Sequence, residues 1–275
     1  MAMSREQTLH EMGLSPIWKL RDNPSVLRRA KAPVVEALAA VPTAEQFTTP
    51  MNEMPDQSIA RSFVPPSADR PEQIARLGWD ELQQSIADCR ACGLCAERKQ
   101  VVPGVGDAKA GWLFIGEGPG AEEDARGEPF VGPAGKLLDA MLAAIDLQRG
   151  DDVYITNAVK CRPPGNRTPE AAEISACAPY LKRQIALLQP KVIVLLGRVA
   201  VHAVLGEEGA LSGLRGQTFA YRDGERAIPV VVTYHPAYLL RTLPDKAKAW
   251  EDLCRARALM REANLALANV ANSPI

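Results

Sequence analysis

Nowhere does this 275-residue chain approach the roughly 18 consecutive apolar residues of a membrane-spanning helix, and no basic start followed by a long apolar core opens it. Secretion and membrane spanning are therefore not expected, and a cytoplasmic protein is. The chain also lacks a charge excess: 32 Lys and Arg against 33 Asp and Glu leave a net charge of -1, so no global field announces a nucleic-acid partner. Any DNA contact must rest on local segments such as Lys160, Arg162 and Arg167, which run without an intervening acid. Internal repeats are absent. Cysteine is sparse, with six residues, and in a reducing compartment thiols at ligand spacing are read as metal-binding or catalytic before they are read as disulfides.

Four of those cysteines form two pairs. Cys89 and Cys92, three residues apart in a run expected to be helical over 79–99, can face one side of the helix and offer half of a tetrahedral sulfur site. Cys161 follows a strand-like segment and Cys177 sits in a helical stretch beginning near Pro169, so folding must bring separate elements onto the first pair. Between the pairs lies a glycine- and acid-rich run, Gly116-Glu117-Gly118-Pro119-Gly120-Ala121-Glu122-Glu123-Asp124.

Residues 1–78 hold nine of the 22 prolines and balance nine basic against nine acidic side chains, which is the composition of a flexible arm. Its opening differs: Leu9 and Met12 share a face of a short helix, followed by Ile17, Trp18 and Leu20, a surface that either docks a partner or folds back on the chain. From Trp79 to residue 275, short apolar strands (112–117, 153–156, 192–197, 229–233) alternate with helical runs (135–147, 169–188, 198–205, 246–267). That alternation predicts an α/β domain, a three-layer α/β/α sandwich around a central, mostly parallel four-stranded sheet. In such sheets chemistry gathers beyond the carboxyl ends of the strands, here at Glu117-Gly118-Pro119, Asn157 and His235-Pro236.

Glycines at 116–120 invite a phosphate loop, but Glu117, Glu122, Glu123 and Asp124 would repel a pyrophosphate and no Gly-Lys-Ser/Thr follows. A tight turn against a flat, neutral ligand fits better. Asn157 carries both a donor and an acceptor, as reading the edge of an amide-containing base requires, although a lone Asn at a strand end is commonly a turn former. His235 can donate a ring N–H to a developing anion. Phe130 lies among Gly, Pro and charged residues with no amphipathic period to explain it, which gives stacking on a ligand weight against the default of core packing.

Together the runs Gly116-Glu117-Gly118-Pro119-Gly120, Glu123-Asp124, Gly127 to Gly135, Thr156-Asn157, Lys160 to Arg167 and His235-Pro236-Ala237-Tyr238-Leu239-Leu240 resemble the family 4 uracil-DNA glycosylases, as does the cysteine pattern. The resemblance implies a base-excision-repair hydrolase that flips uracil from DNA and leaves an abasic site. It assigns Cys89, Cys92, Cys161 and Cys177 to a 4Fe-4S cluster, with zinc the alternative occupant of the same sulfurs. Cys95 is then a spare and Cys254 a buried residue of the last helix. It further implies that Phe130 stacks on the base and Asn157 pairs with its polar edge. The backbone at Glu117, Gly118 and Pro119 lines the other side. Glu123 is the candidate wall at C5 against thymine, His235 is expected to donate to the uracil oxygen, and Glu117, Glu123 or backbone carbonyls are the candidates to position the attacking water. Leu239 or Leu240 fills the gap left by the base, with Arg241, Arg162 and Arg167 near phosphates.

One relative cross-links covalently through a histidine in a basic loop. The comparable residues 211–217 contain no histidine and one arginine, which favours a turnover enzyme. The opening of the arm also resembles the N-terminal peptide of a clamp-loader subunit, which implies tethering of a monomeric glycosylase to replication machinery through residues 1–30. A binding module without catalysis is the competing class.

Overall fold

The computed structural model describes residues 63–271 except residue 65, so the expectations for residues 1–30 lie outside the described residues. Helix α1 (Arg70–Arg76), opened by Pro71 in its first turn, buries Ile74, and Arg70 donates to the Ala176 carbonyl at 2.7 Å. Ordered packing thus begins ahead of the expected boundary at residue 79. Helix α2 (Trp79–Ala87) buries Leu82 and Ile86, and its Glu81 carboxylate accepts the Gly78 N–H at 2.8 Å. It stops at Ala87, where the apolar period ends. Cys89 and Cys92 consequently do not share a helical face as expected; they lie in the loop beyond, where Cys92 has extended backbone ahead of a 3-10 turn at Gly93–Cys95.

A single sheet of six strands organises the rest: β1 (Val105–Gly106), β2 (Trp112–Gly116), β3 (Val153–Asn157), β4 (Val192–Leu196), β5 (Thr218–Asp223) and β6 (Arg226–Thr233), in spatial order β1-β3-β2-β4-β6-β5. The central four, β3-β2-β4-β6, are the expected parallel strands, and β2, β3 and β4 are buried along their whole length, as strands covered on both faces must be. Two antiparallel edge strands bring the sheet from the expected four strands to six. β1 is two residues long. β5 alternates exposed and half-buried positions and joins β6 through Gly224, whose φ of +61° suits the tight turn.

Alternation along the strands divides the interior into two cores. Trp112, Phe114, Val153, Ile155, Val192, Val194 and Val231 pack on Leu138 and Leu142 of α4 (Pro133–Ala143) and on Leu253 and Met260 of α9 (Lys246–Ala271). Leu113, Ile115, Tyr154, Ile193, Leu195, Val230 and Val232 pack on Leu181 and Ile185 of α5 (Ala171–Leu188) and on Ala200 and Val201 of α6 (Arg198–Leu205). This is the expected three-layer sandwich. A third cluster joins α1, α2 and α5 to the segment after β3 through Ile74, Leu82, Ile86, Val159, Cys161, Cys177 and Tyr180. Short helices α3 (Ala121–Arg126), α7 (Leu211–Leu214) and α8 (Pro236–Arg241) follow β2, α6 and β6 respectively.

Candidate active site

The carboxyl ends of the parallel strands open into a cleft of about 810 Å³, whose walls include Glu117, Gly118, Pro119, Phe130, Asn157 and His235. Six residues expected to form the site are therefore brought together. Parallel pairing sets Gly116 of β2 directly beside Asn157 of β3. A Cβ at position 116 would sit 2.5 Å from both the Asn157 Oδ1 and the Phe130 Cζ, so only glycine lets these two side chains meet across the cleft floor. Asn157 is 1 % exposed, and its Oδ1 makes no hydrogen bond among the described residues. A buried carbonyl oxygen without a donor is a costly arrangement unless a ligand supplies one.

Phe130 is held in the left-handed region, at φ +56°, and its ring stacks on His235 with centroids 5.4 Å apart and planes 29° apart. The turn is close to α4: a Cβ on Gly135 would lie 1.7 Å from the Phe130 carbonyl oxygen. Glu123 supports it from the other side. Its Oε2 accepts the Gly120 N–H at 3.0 Å, and its Oε1 accepts those of Val131 at 3.0 Å and Gly132 at 3.1 Å. Both oxygens of Glu123 are thus engaged with backbone, while the residue itself, expected as a wall or water-positioning acid, also lines the cleft. Glu117 faces the cleft, and burial pushes its carboxyl above the ordinary range, partly countered by Arg198.

His235 caps α8, with its Nδ1 accepting the Ala237 N–H at 3.2 Å. That bond leaves the ring proton of the neutral tautomer on Nε2. Burial, with Arg241 adding to it and Glu123 opposing, drives the imidazole down to about 4. The residue as a whole is half-buried and borders the cleft. It is neutral at pH 7.

The basic residues separate. Arg167 lines the cleft and holds Glu173 through two bonds of 2.9 and 2.7 Å, and Arg162 donates to the Asn166 Oδ1 at 2.7 Å. Lys160, expected with them on a basic surface, is instead buried, donating to the Thr156 Oγ1 at 2.6 Å and the Asn157 carbonyl at 2.8 Å. It lies four residues past Thr156, in the bend that follows β3, and folds back along the chain. Of the two leucines, Leu239 is core at 1 % exposure and Leu240 is 42 % exposed, while Arg241 lines the cleft. Arg198, not singled out from the sequence, also lines it; its place after Gly197 at the end of β4 was the available signal.

Residues 103–254 match the model of the uracil DNA glycosylase superfamily. A type-4 uracil-DNA glycosylase of Archaeoglobus fulgidus is 45 % identical over 165 residues, spanning 58 % of this chain and 82 % of the relative. One from Thermotoga maritima is 40 % identical over 184 residues, 66 % of this chain and 94 % of the relative. A type-5 uracil-DNA glycosylase of Thermus thermophilus is 37 % identical over 173 residues, 51 % of this chain and 76 % of the relative. The chain belongs to the uracil-DNA glycosylase superfamily, in its type-4 branch.

In this glycosylase the four paired cysteines meet in the third cluster, contributed by the loop after α2, the segment after β3 and helix α5. Arg98 donates to the Cys161 sulfur at 3.0 Å and Arg70 to that of Cys89 at 3.5 Å. Burial pushes the thiols of Cys161 and Cys177 up to about 12 and about 11, so with no metal in place they keep their protons. Among the described residues no group of three or more His, Cys, Asp or Glu side chains is disposed to hold a metal ion. Four thiols ringed by two guanidinium groups and the Lys160 ammonium nonetheless have the composition a thiolate-ligated, negatively charged centre requires. Cys95 is buried beside them, whereas Cys254, expected to be buried, is exposed on α9. None of the described helices is long and apolar enough to cross a membrane.

Proposed function

We propose that this glycosylase extrudes uracil from DNA into the cleft and hydrolyses its N-glycosidic bond, leaving an abasic site. The observation that carries the proposal is the unpaired Asn157 Oδ1, buried at the cleft floor beside Phe130 and within reach of the same cavity as the neutral His235. A base in a duplex hides its glycosidic bond, so excision demands flipping. Asn157 then accepts from uracil N3–H and donates to O4. Cytosine, with N4–H2 in place of O4, leaves those groups mismatched. Phe130 stacks on the ring, and the backbone of Glu117, Gly118 and Pro119 closes its other edge.

As the bond breaks, the sugar gains oxocarbenium character and uracil leaves as an anion. The His235 Nε2–H donates to the uracil oxygen where that charge accumulates. Glu117, whose carboxylate faces the cleft, positions the attacking water, since Glu123 is occupied by backbone. Incubation with a uracil-containing oligonucleotide followed by alkali should cut the strand at the uracil; an uncut strand would refute the proposal.

Leu240, exposed near the end of α8, fills the gap left by the flipped nucleotide, and Arg162, Arg167 and Arg241 contact flanking phosphates. Leu240→Ala should slow excision from duplex DNA about tenfold and from single strands far less, because only a duplex has a stack to hold open. Equal losses on both substrates would remove Leu240 from that role.

The cofactor we propose is a 4Fe-4S cluster on Cys89, Cys92, Cys161 and Cys177, which would staple the loop after α2 to the segment that follows Asn157. A brown colour and broad visible absorption in the purified protein, lost together in a Cys161→Ala variant, would support iron-sulfur over zinc. The organisation that goes with this is a catalytic domain preceded by an arm. We place with this a monomeric cytoplasmic enzyme tethered to the clamp loader through residues 1–30; the tether is tested by pull-down with that peptide and loss of binding on Trp18→Ala, and the monomer by its mass in solution.

A further inference from the structure

We infer that Arg149 is a positioning residue for the glycosylase reaction, acting through Phe130. The inference rests on the proposed function and concerns how its base-stacking ring is held. Phe130 occupies a backbone region that bulky side chains avoid, at φ +56°, so the turn carrying it must be over-determined by its surroundings. Four bonds accomplish this from two sides. Glu123 accepts the N–H groups of Val131 and Gly132 at 3.0 and 3.1 Å. Arg149 donates from Nη1 to the Pro129 carbonyl and from Nη2 to the Phe130 carbonyl, each at 2.8 Å. Glu123 thus fixes the donors of the turn and Arg149 its acceptors, and the side chain between them has one direction left, toward His235 and the cleft.

The guanidinium is itself aimed. Asp139, on the face of α4 that follows the turn, accepts from Arg149 Nε at 3.1 Å and from Nη2 at 2.8 Å. All three guanidinium nitrogens are therefore used, two of them on the Phe130 turn. A lysine has one nitrogen and no planar fork, so it cannot bridge two carbonyls while paired to Asp139. Arg149 does not line the cleft, and its effect on the reaction must pass through the ring it holds in place.

A double-mutant cycle on the full-length protein tests this. In single-turnover excision from a uracil-containing oligonucleotide, Arg149→Ala should slow the chemical step roughly 10- to 100-fold, the usual cost of an ångström-scale misplacement. Affinity for the DNA should change less than about threefold, because Arg149 does not line the cleft and its bonds go to the turn and to Asp139, not to the proposed phosphate contacts. Introduced into a Phe130→Ala protein, the same substitution should slow the rate less than about threefold, since the ring it positions is gone. Arg149→Lys should fall with the alanine variant rather than with the wild type.

Multiplicative losses in the double variant, or a single variant as fast as wild type, would overturn the inference. If Arg149→Ala does not fold, Asp139→Asn, which keeps the guanidinium but removes its anchor, is read in the same cycle: a loss that vanishes in the Phe130→Ala background supports the assignment, and one that persists refutes it. A wild-type protein that fails to release uracil would instead sink the functional proposal itself.

Discussion

Asn157→Asp should lower uracil excision by roughly a thousandfold or more, the scale on which sites built around specific hydrogen bonds reject a mismatched partner. The substitution is nearly isosteric, so the strand and the cleft remain. What changes is the donor inventory: the amide offers uracil O4 an N–H and N3–H an oxygen, whereas an ionised carboxylate offers only acceptors. Asn157 is 1 % exposed, so a seated base leaves the repulsion between that carboxylate and the O4 lone pairs unscreened by solvent. The same carboxylate can accept from the N4–H2 of cytosine, and the ratio of cytosine to uracil release should therefore rise. Single-turnover rates on matched uracil and cytosine oligonucleotides measure both effects. A uracil rate within tenfold of wild type would show that the base is read elsewhere.

The parallel core was legible because each of its strands is a short apolar run bounded by glycine or a polar residue, and burial on both faces demands that composition. The edges were not. Thr218-Phe219-Ala220-Tyr221-Arg222-Asp223 mixes one polar face with one half-buried face, and Val105–Gly106 is too short for any period to register. Among the candidate site residues, Glu117, Asn157 and His235 stood out by their place at strand ends together with their hydrogen-bonding chemistry and the family resemblance, and all three line the cleft. The two leucines of α8 could not be told apart, because a six-residue helix against a core buries one neighbour and exposes the next by a rotation the sequence does not display. Lys160 misled because Arg162 and Arg167, with no acid between, suggested a basic loop, whereas its ammonium reaches back four residues to Thr156.

Glu123 carried a signal that pointed elsewhere. Gly120-Ala121-Glu122-Glu123 has the spacing of a capping box, and a capping glutamate has its carboxylate turned toward backbone N–H groups rather than toward a ligand. Arg149 carried none. It lies nineteen residues beyond Phe130, in a turn region with no motif, and only the folded arrangement of α4 brings it against the Phe130 carbonyl.

His235 yields the second large effect, and its sign follows from its surroundings. His235→Ala should slow excision about 100- to 1,000-fold, the range seen when one preorganised donor to a developing anion is removed. Because the imidazole is held down to about 4, the donor is the neutral ring, and its contribution should stay constant from pH 8 down to pH 5 instead of titrating near the ordinary value of 6.5. As pH falls toward 4 the ring protonates, Nδ1 can no longer accept the Ala237 N–H, and the cap of α8 is lost with it. Stability follows the same window. Between pH 6.5 and 4 the unfolded chain binds the His235 proton and the folded chain does not, so folding stability is complete above 6.5 and declines as pH drops, by at most about 3 kcal/mol. Comparing melting temperatures at pH 7 and pH 4.5 for wild type and His235→Gln isolates this group, since glutamine cannot titrate. The wild type should lose more stability than the variant over that interval. An equal loss in both, with an excision profile breaking near 6.5, would mean that His235 is open to solvent and works as an imidazolium rather than as a neutral donor.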